Sequence, residues 1–258
     1  MFKRLQSMLG RKPSVVTSAA PSIETKPKPA APFYAIGDIH GCLKEMDQLV
    51  AKIEGENPSA PVIFLGDYID RGTQSAQVLT RLRELQSKDA DRFICIMGNH
   101  ERMMLEFIDD PLGRGARWLV NGGIQTLQSF GIKPGKSKPD AEEAMELADQ
   151  LEEAMPESMQ DWLRNLPMQW SSGDVHCVHA AMDPTAAPDN QKERHLLWGH
   201  REFMKTPRED GACVVYGHVI VPKPDARDGR FAIDTGAYKS GRLTAVYIET
   251  DDWRFMQT

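Results

Sequence analysis

The sequence predicts an α/β domain built on a parallel sheet, and three observations predict it. Apolar runs at 33–36, 62–65 and 93–97 each end in Gly-Asp or Gly-Asn, and a stretch of helical period follows each one. That βαβαβ rhythm implies parallel strands joined by crossover helices. Later apolar runs at 175–178, 213–216, 231–233 and 243–248 have no helices between them, which predicts an antiparallel or mixed sheet for the second half.

Taken in order, residues 1–32 form a tail. They carry six Lys or Arg against Glu24, and 13–32 is a Pro/Ala/Ser/Lys-rich stretch with too few large apolar groups to make a core, so it reads as a disordered linker. Phe2, Leu5, Met8 and Leu9 lie at helical spacing among basic residues. That segment is either a frayed terminus or a short helix making weak contact with a membrane surface or a partner. The body, 33–258, begins with the strand at 33–36. Leu43, Met46, Leu49, Val50 and Ile53 then share one helix face, and Val78, Leu79, Leu82 and Leu85 share another after the second strand. The middle, 111–166, is helical in character: Asn121-Gly122-Gly123 signals a turn, and 141–155 reads as an acidic amphipathic helix.

Composition excludes several classes. With 258 residues and 41% hydrophobic content, the chain can bury a core without disulfide staples. Cys42, Cys95, Cys177 and Cys213 form no CxxC pair, as expected of reduced thiols in a cytoplasmic protein. The net charge is −6 although the tail is basic, so the body is more acidic still and offers no broad surface for nucleic acid. No run is long and apolar enough to span a bilayer, and the features of a secretory signal are absent.

The chemistry lies where the strands end. Gly37-Asp38-Ile39-His40-Gly41 follows the first, Gly66-Asp67-Tyr68-Ile69-Asp70-Arg71-Gly72 the second, and Gly98-Asn99-His100-Glu101 the third. The carboxyl ends of parallel strands share one edge of the sheet, where ligands bind. His179 and His218 end two later strands. Carboxylate, imidazole and amide oxygen suit hard or borderline divalent metals. Because a carboxylate can bridge two ions, the inventory supports a dinuclear centre able to clamp a phosphoryl oxygen.

These strings, GDxHG, GDxxDRG and GNHE followed by two histidines, resemble the calcineurin-like metallophosphoesterases, and within them the phosphoprotein phosphatase superfamily that holds Ser/Thr protein phosphatases and symmetrical diadenosine tetraphosphatases. The resemblance spans 33–249. It implies a four-layer α/β/β/α sandwich with the 111–166 segment beside the cleft. It implies that Asp38 and His40 bind one metal, that Asp67 bridges, and that Asn99, His179 and His218 complete the second. It further implies that Asp70 orients His100 as general acid, and that Arg71 and Arg201 hold phosphate oxygens, with His200 the alternative to Arg201 at that edge. An Asp–His pair suits acid catalysis near neutral pH, and a guanidinium fork matches two phosphoryl oxygens.

The chain departs from the family pattern in three places: Ala180-Ala181 follow His179, Gly199 and His200 separate Trp198 from Arg201, and Val219 follows His218. His176 is expected on the opposite face of its strand, and Asp234-Thr235-Gly236 as a structural turn. The expected activity is in-line attack by a metal-bridging hydroxide, with manganese the expected metal and iron or zinc alternatives. The expected substrate is a phosphorylated protein, or alternatively a dinucleoside polyphosphate, for which Trp118, Trp198 and Tyr238 are the base-stacking candidates. An inactive binding scaffold is the reading from another class, and the intact ligand set argues against it.

Overall fold

A computed structural model describes residues 25–136 and 138–258. The chain alternates strand and helix through β1 (Phe33–Ile36), α1 (Leu43–Glu56), β2 (Val62–Phe64), α2 (Ser75–Lys88), β3 (Phe93–Cys95) and α3 (Asn99–Asp109). The helical segment follows: α4 (Ala116–Trp118), a wide turn at Leu119–Gly123, α5 (Ile124–Ser129), α6 (Ala141–Ala154) and α7 (Glu157–Arg164). The second half holds β4 (Gln169–Ser172), β5 (Val175–Val178), α8 (Glu193–Trp198), β6 (Cys213–Tyr216), β7 (Asp225–Arg227), β8 (Arg230–Ala232), α9 (Ala237–Ser240), β9 (Thr244–Glu249) and β10 (Asp252–Gln257).

Two five-stranded sheets result, in the orders β10-β9-β1-β2-β3 and β4-β5-β6-β8-β7. The three motif-bearing strands are parallel, and β9 returns antiparallel to β1. The second sheet is mixed: β5, β6 and β8 run parallel between antiparallel edges β4 and β7. The sheets face each other. Phe33, Ala35, Ile63 and Leu65 from one interdigitate with Val175, Cys177, Val215 and Phe231 of the other. The alternate residues, Tyr34, Ile36, Val62 and Phe64, point outward beneath the α1 and α2 faces at Met46, Leu49, Val78 and Leu82. Burial on both faces explains why these strands read as continuous apolar runs. The four-layer sandwich is present, but its fourth layer is thin: Leu196 of the short α8 and the loop residues Ala181, Met182 and Phe203 pack on the outer face of β5 and β6.

The structure differs from the sequence expectation in three places. Residues 25–32, expected within the disordered linker, lie along the β4–β5 turn. There Lys28 N–H donates to Asp174 Oδ1 (2.6 Å), and at the β9–β10 turn Asp251 N–H donates to Pro27 O. Pro27 and Pro29 are buried there. The rest of the tail, including the 2–9 helical spacing, lies outside the described residues. Second, α8 lies between β5 and β6 and α9 between β8 and β9, where the sequence predicts no helices; at six and four residues they are too short to show a helical period. Asn121-Gly122-Gly123 is the expected turn, a wide one inside the helical segment, with Gly122 at φ 113°. Third, the sequence predicts no strands at β4, β7 and β10, which are partly exposed edge strands; β4 and β7 are short and largely polar, and β10 turns Trp253 and Phe255 to the inter-sheet core.

Candidate metal centre

Five strand ends deliver the polar residues to one edge. Asp38 and His40 follow β1, Asp67, Asp70 and Arg71 follow β2, Asn99 and His100 open α3 after β3, His179 follows β5, and His218 follows β6. The backbone bends sharply to do this. Of seven non-glycine residues with positive φ among the described residues, five are His40, Asp67, Asp70, Arg71 and His218. Such conformations cost on the order of 1–3 kcal/mol each and persist only where surrounding structure imposes them. Here it does: His40 N–H donates to Asp67 O, Gly72 N–H to Asp70 O, and Gly217 N–H to His179 O.

Asp67 is the hub. Its Oδ2 lies 3.5 Å from His40 Nε2 and 3.8 Å from His100 Nε2, while its Oδ1 lies 3.4 Å from His179 Nε2. Two overlapping groups can therefore each hold a cation: His40, Asp67 and His100 on one side, and Asp67, His179 and His218 on the other. Asn99 Oδ1 joins the second, 2.8 Å from His179 Nε2 and 2.9 Å from His218 Nδ1. Asp38 stands closer to the backbone, where both its oxygens accept the His218 N–H at 3.1 Å.

The donor chemistry calls for cations. His40 Nδ1 donates to Ile69 O (2.7 Å) and His179 Nδ1 donates to Leu65 O (2.9 Å), so both Nε2 lone pairs are turned to the Asp67 carboxylate side, with Arg71 also reaching that of His40. Burial, which outweighs the opposing charge of Asp67, pushes the His40 pKa down to about 3 and the His218 pKa down to about 4, so both rings are neutral. Burial acts to raise Asp67, but the imidazoles of His179, His100 and His40 and the His100 N–H hold it below the usual carboxylate range. Burial, Asp234 and Asp67 push Asp38 well up, and burial pushes Asp234 up to about 6. Asp234 Oδ2 is buried without a donor. Acceptors crowded against acceptors, with carboxyls driven to keep protons, fit two divalent ions better than they fit each other.

Beside the hub sits an acid–base pair. His100 Nδ1 donates to Asp70 Oδ2 at 2.5 Å, and Asp70 also accepts from Thr126 Oγ1 (2.6 Å) and Trp118 Nε1 (2.9 Å). Burial opposes the charged form of His100, but Asp67 and the Asp70 hydrogen bond outweigh it and raise its pKa. The Arg71 guanidinium spans the two rings, 2.8 Å from His40 Nε2 and 3.0 Å from His100 Nε2, and lies over Tyr238 at 5.1 Å. Gly122 O accepts the Arg71 N–H, and a Cβ on Gly122 would stand 2.9 Å from that nitrogen. The wide turn therefore exists to let the helical segment close against Arg71.

Arg201 stands apart from these residues. Its side chain is 86% exposed and pairs with Glu202, while His200 turns toward Asp183. His176 hydrogen-bonds Ser171 on the neighbouring strand and belongs to neither cation group. Sequence reasoning missed the roles of three positioning residues, Glu101, Trp118 and Thr126, while Asp234 is the turn residue expected. Glu101, fully buried, accepts the N–H groups of Asp67, Tyr68, Ile69 and Gly98 and so shapes the β2 loop. Its signal was an acidic residue at the third position of a helix that opens on glycine. Trp118 and Thr126 reach Asp70 from 48 and 56 residues away, and no local pattern marks them. Asp234, besides accepting the Gly236 N–H as a turn residue, presses its second oxygen toward Asp38.

Comparison with known proteins agrees with this geometry. The family model for calcineurin-like phosphoesterases matches residues 31–241. An asymmetrical bis(5'-nucleosyl)-tetraphosphatase of Geobacillus sp. is 28% identical over 81% of this chain and 87% of its own length. Serine/threonine-protein phosphatase 2 of Salmonella typhimurium is 26% identical over 84% and 93%. Among solved structures, the cold-active protein-tyrosine phosphatase of a Shewanella species shares the fold. Its TM-score is 0.58 at 16% identity, covering 90% of this chain and 84% of that one. The chain belongs to the calcineurin-like phosphoesterase family.

Proposed function

We propose that this calcineurin-like phosphoesterase is a Ser/Thr-type protein phosphatase. The observation that carries the reading is the cleft beside Arg71: about 1020 Å³, open to solvent, and lined by Leu119, Val120, Ile124, Lys136 and Tyr238. Val120 is 80% exposed on its wall. A broad trough of mixed apolar and basic character accommodates peptide on either side of a phosphorylated side chain, whereas a compact nucleotide needs a closed pocket. The Salmonella relative bears a protein phosphatase name.

Asp38, His40 and Asp67 would hold one divalent ion, and Asp67, Asn99, His179 and His218 the other, with manganese the expected occupant and iron or zinc compatible with the same donors. When bound, the ions supply positive charge against the phosphoryl oxygens and lower the pKa of water. The chain's own residues do the rest. Arg71 leaves the rings of His40 and His100 and takes two phosphoryl oxygens in its fork. His100 is then free to hold a proton on Nε2 and deliver it to the departing serine or threonine oxygen. Asp70 keeps Nδ1 protonated and the ring aimed. Arg201 adds a second clamp only if its loop turns inward from the exposed position it holds.

One observation favours hydrolysis of dinucleoside polyphosphates instead: Tyr238 sits over Arg71 and beside His40 at 5.3 Å, where a base could stack next to bound phosphate. The other aromatic candidates are less available. Trp118 is fully buried, and the Arg117 guanidinium lies over the Trp198 ring at 4.4 Å. The test is kcat/KM for a phosphoserine peptide and for diadenosine tetraphosphate, each with Mn²⁺ and with chelator. The peptide is expected to be preferred by at least about tenfold, and the opposite preference, with KM for the dinucleotide rising in Tyr238→Ala, would replace this reading with the second.

A further inference from the structure

Outside the catalytic edge, a second kind of cluster lies on the thin fourth layer. Asp183 comes from the loop after β5, His195 from α8, and His200 from the loop after α8. One ligand atom of each lies within 4.8 Å of the others. The two rings meet edge to face with centroids 4.5 Å apart, and His200 Nε2 lies 3.8 Å from Asp183 Oδ2. His195 is only 7% exposed, and its Nδ1 is buried with no hydrogen-bond partner. Buried ring nitrogens ordinarily find one.

We propose that Asp183, His195 and His200 form a third divalent-cation site, of the zinc class, separate from the catalytic pair. The donor set of two imidazoles and one carboxylate leaves a fourth tetrahedral position for water. Ligand atoms around a tetrahedral zinc stand roughly 3.3 Å apart, so atoms that now lie within 4.8 Å of one another must close by up to about 1.5 Å. The carboxylate is already held in place. Its Oδ1 accepts from Thr185 N (2.9 Å) and Thr185 Oγ1 (2.8 Å), which leaves Oδ2 turned to His200. Gln191 and Arg208 tie the same loop through the carbonyls of Asp183 and Ala186. Protonation states agree with this geometry: the Thr185 hydrogen bonds lower Asp183, and burial, with His200 and Arg194, lowers His195.

Two existing contacts oppose the ion. The Glu202 N–H reaches His200 Nδ1 at a long 3.4 Å, and Arg194 Nε donates to His195 Nε2 at 3.0 Å. If metal takes Nε2, Arg194 is displaced. If it takes Nδ1, Nε2 must carry the proton and again repels Arg194. Arg194 is exposed and free to turn away, so it competes with the ion rather than supporting it. An ion here would fix His200 and therefore the loop that carries Arg201.

The experiment is equilibrium dialysis of the full chain against Zn²⁺ with elemental analysis. Wild type is expected to hold one zinc more per chain than Asp183→Asn or His200→Asn, while both variants keep the metal of the catalytic pair. Arg194→Met should bind this zinc about tenfold more tightly, the worth of one released hydrogen bond. Asp67→Asn, which disturbs the catalytic pair, should retain it, so the two assignments fail separately. Should Asp183→Asn not fold, His200→Asn, on a loop residue whose side chain is 18% exposed, decides the count. Equal zinc content in wild type and His200→Asn overturns the proposal.

Discussion

Replacing Asp70 by Asn isolates the acid role of His100. The carboxylate is fully buried, and three donors converge on it, from His100, Thr126 and Trp118. The amide keeps the volume but removes the charge and turns an NH2 toward at least one of those donors. Two consequences follow, of separable size. Stability falls by about 1–3 kcal/mol for the donor left unpaired, measured as a lower denaturant midpoint. Catalysis falls through His100: its pKa is raised in spite of burial because Asp67 and Asp70 favour the imidazolium, and removing one of those charges reverses part of that. The acid form is lost as pH rises through the His100 pKa, so the alkaline limb of kcat should move to lower pH by on the order of one pH unit or more. The substrate decides the magnitude. A serine alkoxide must be protonated as it leaves, so turnover of a phosphoserine peptide should drop by roughly 10²–10³. A nitrophenolate leaves unaided, so nitrophenyl phosphate turnover should drop by less than about tenfold. Equal losses on both substrates, with an unmoved alkaline limb, would refute the reasoning and leave Asp70 a purely structural residue.

Four further outcomes are expected. Asp67→Asn should deplete both cation positions, because its two oxygens face both groups, and elemental analysis showing two ions retained would contradict the hub assignment. Mn²⁺ binding at pH 6 should release about one proton or more, since Asp38 and Asp234 are driven to hold protons in the metal-free site. Calorimetry in buffers of different ionisation enthalpy measures this, and no buffer dependence would count against it. Gly122→Ala should cost about 1–3 kcal/mol, because φ is 113° and the new Cβ meets the Arg71 backbone nitrogen at 2.9 Å; an unshifted melting temperature would show that the turn relaxes freely. Glu101→Gln should cost at least about 3 kcal/mol and weaken metal retention, since an amide cannot accept from the four N–H groups that shape the β2 loop, and wild-type metal content would deny that role.

The sequence by itself determined the parallel half of the fold and which strand ends carry chemistry. An apolar strand that ends in Gly-Asp-x-His is both a local conformational instruction and a donor set, and parallel order brings all such ends to one edge. The family resemblance carried by the same strings pointed to Asp67 as the bridging carboxylate, whereas the close approach at Gly217, where a Cβ would stand 2.0 Å from Asp38 Oδ1, is visible only in three dimensions. Only the tertiary structure decided the rest. The edge strands β4 and β7, three or four residues long and largely polar, owe their pairing to their neighbours. Trp118 and Thr126 become partners of Asp70 because a helical segment folds back across it, and Arg201 points to solvent while His200 turns to Asp183 because of how one loop packs. The reason is range: hydrophobic period and turn chemistry act over a few neighbouring residues, whereas the direction of a side chain, and the charge it meets, depend on elements tens of residues away.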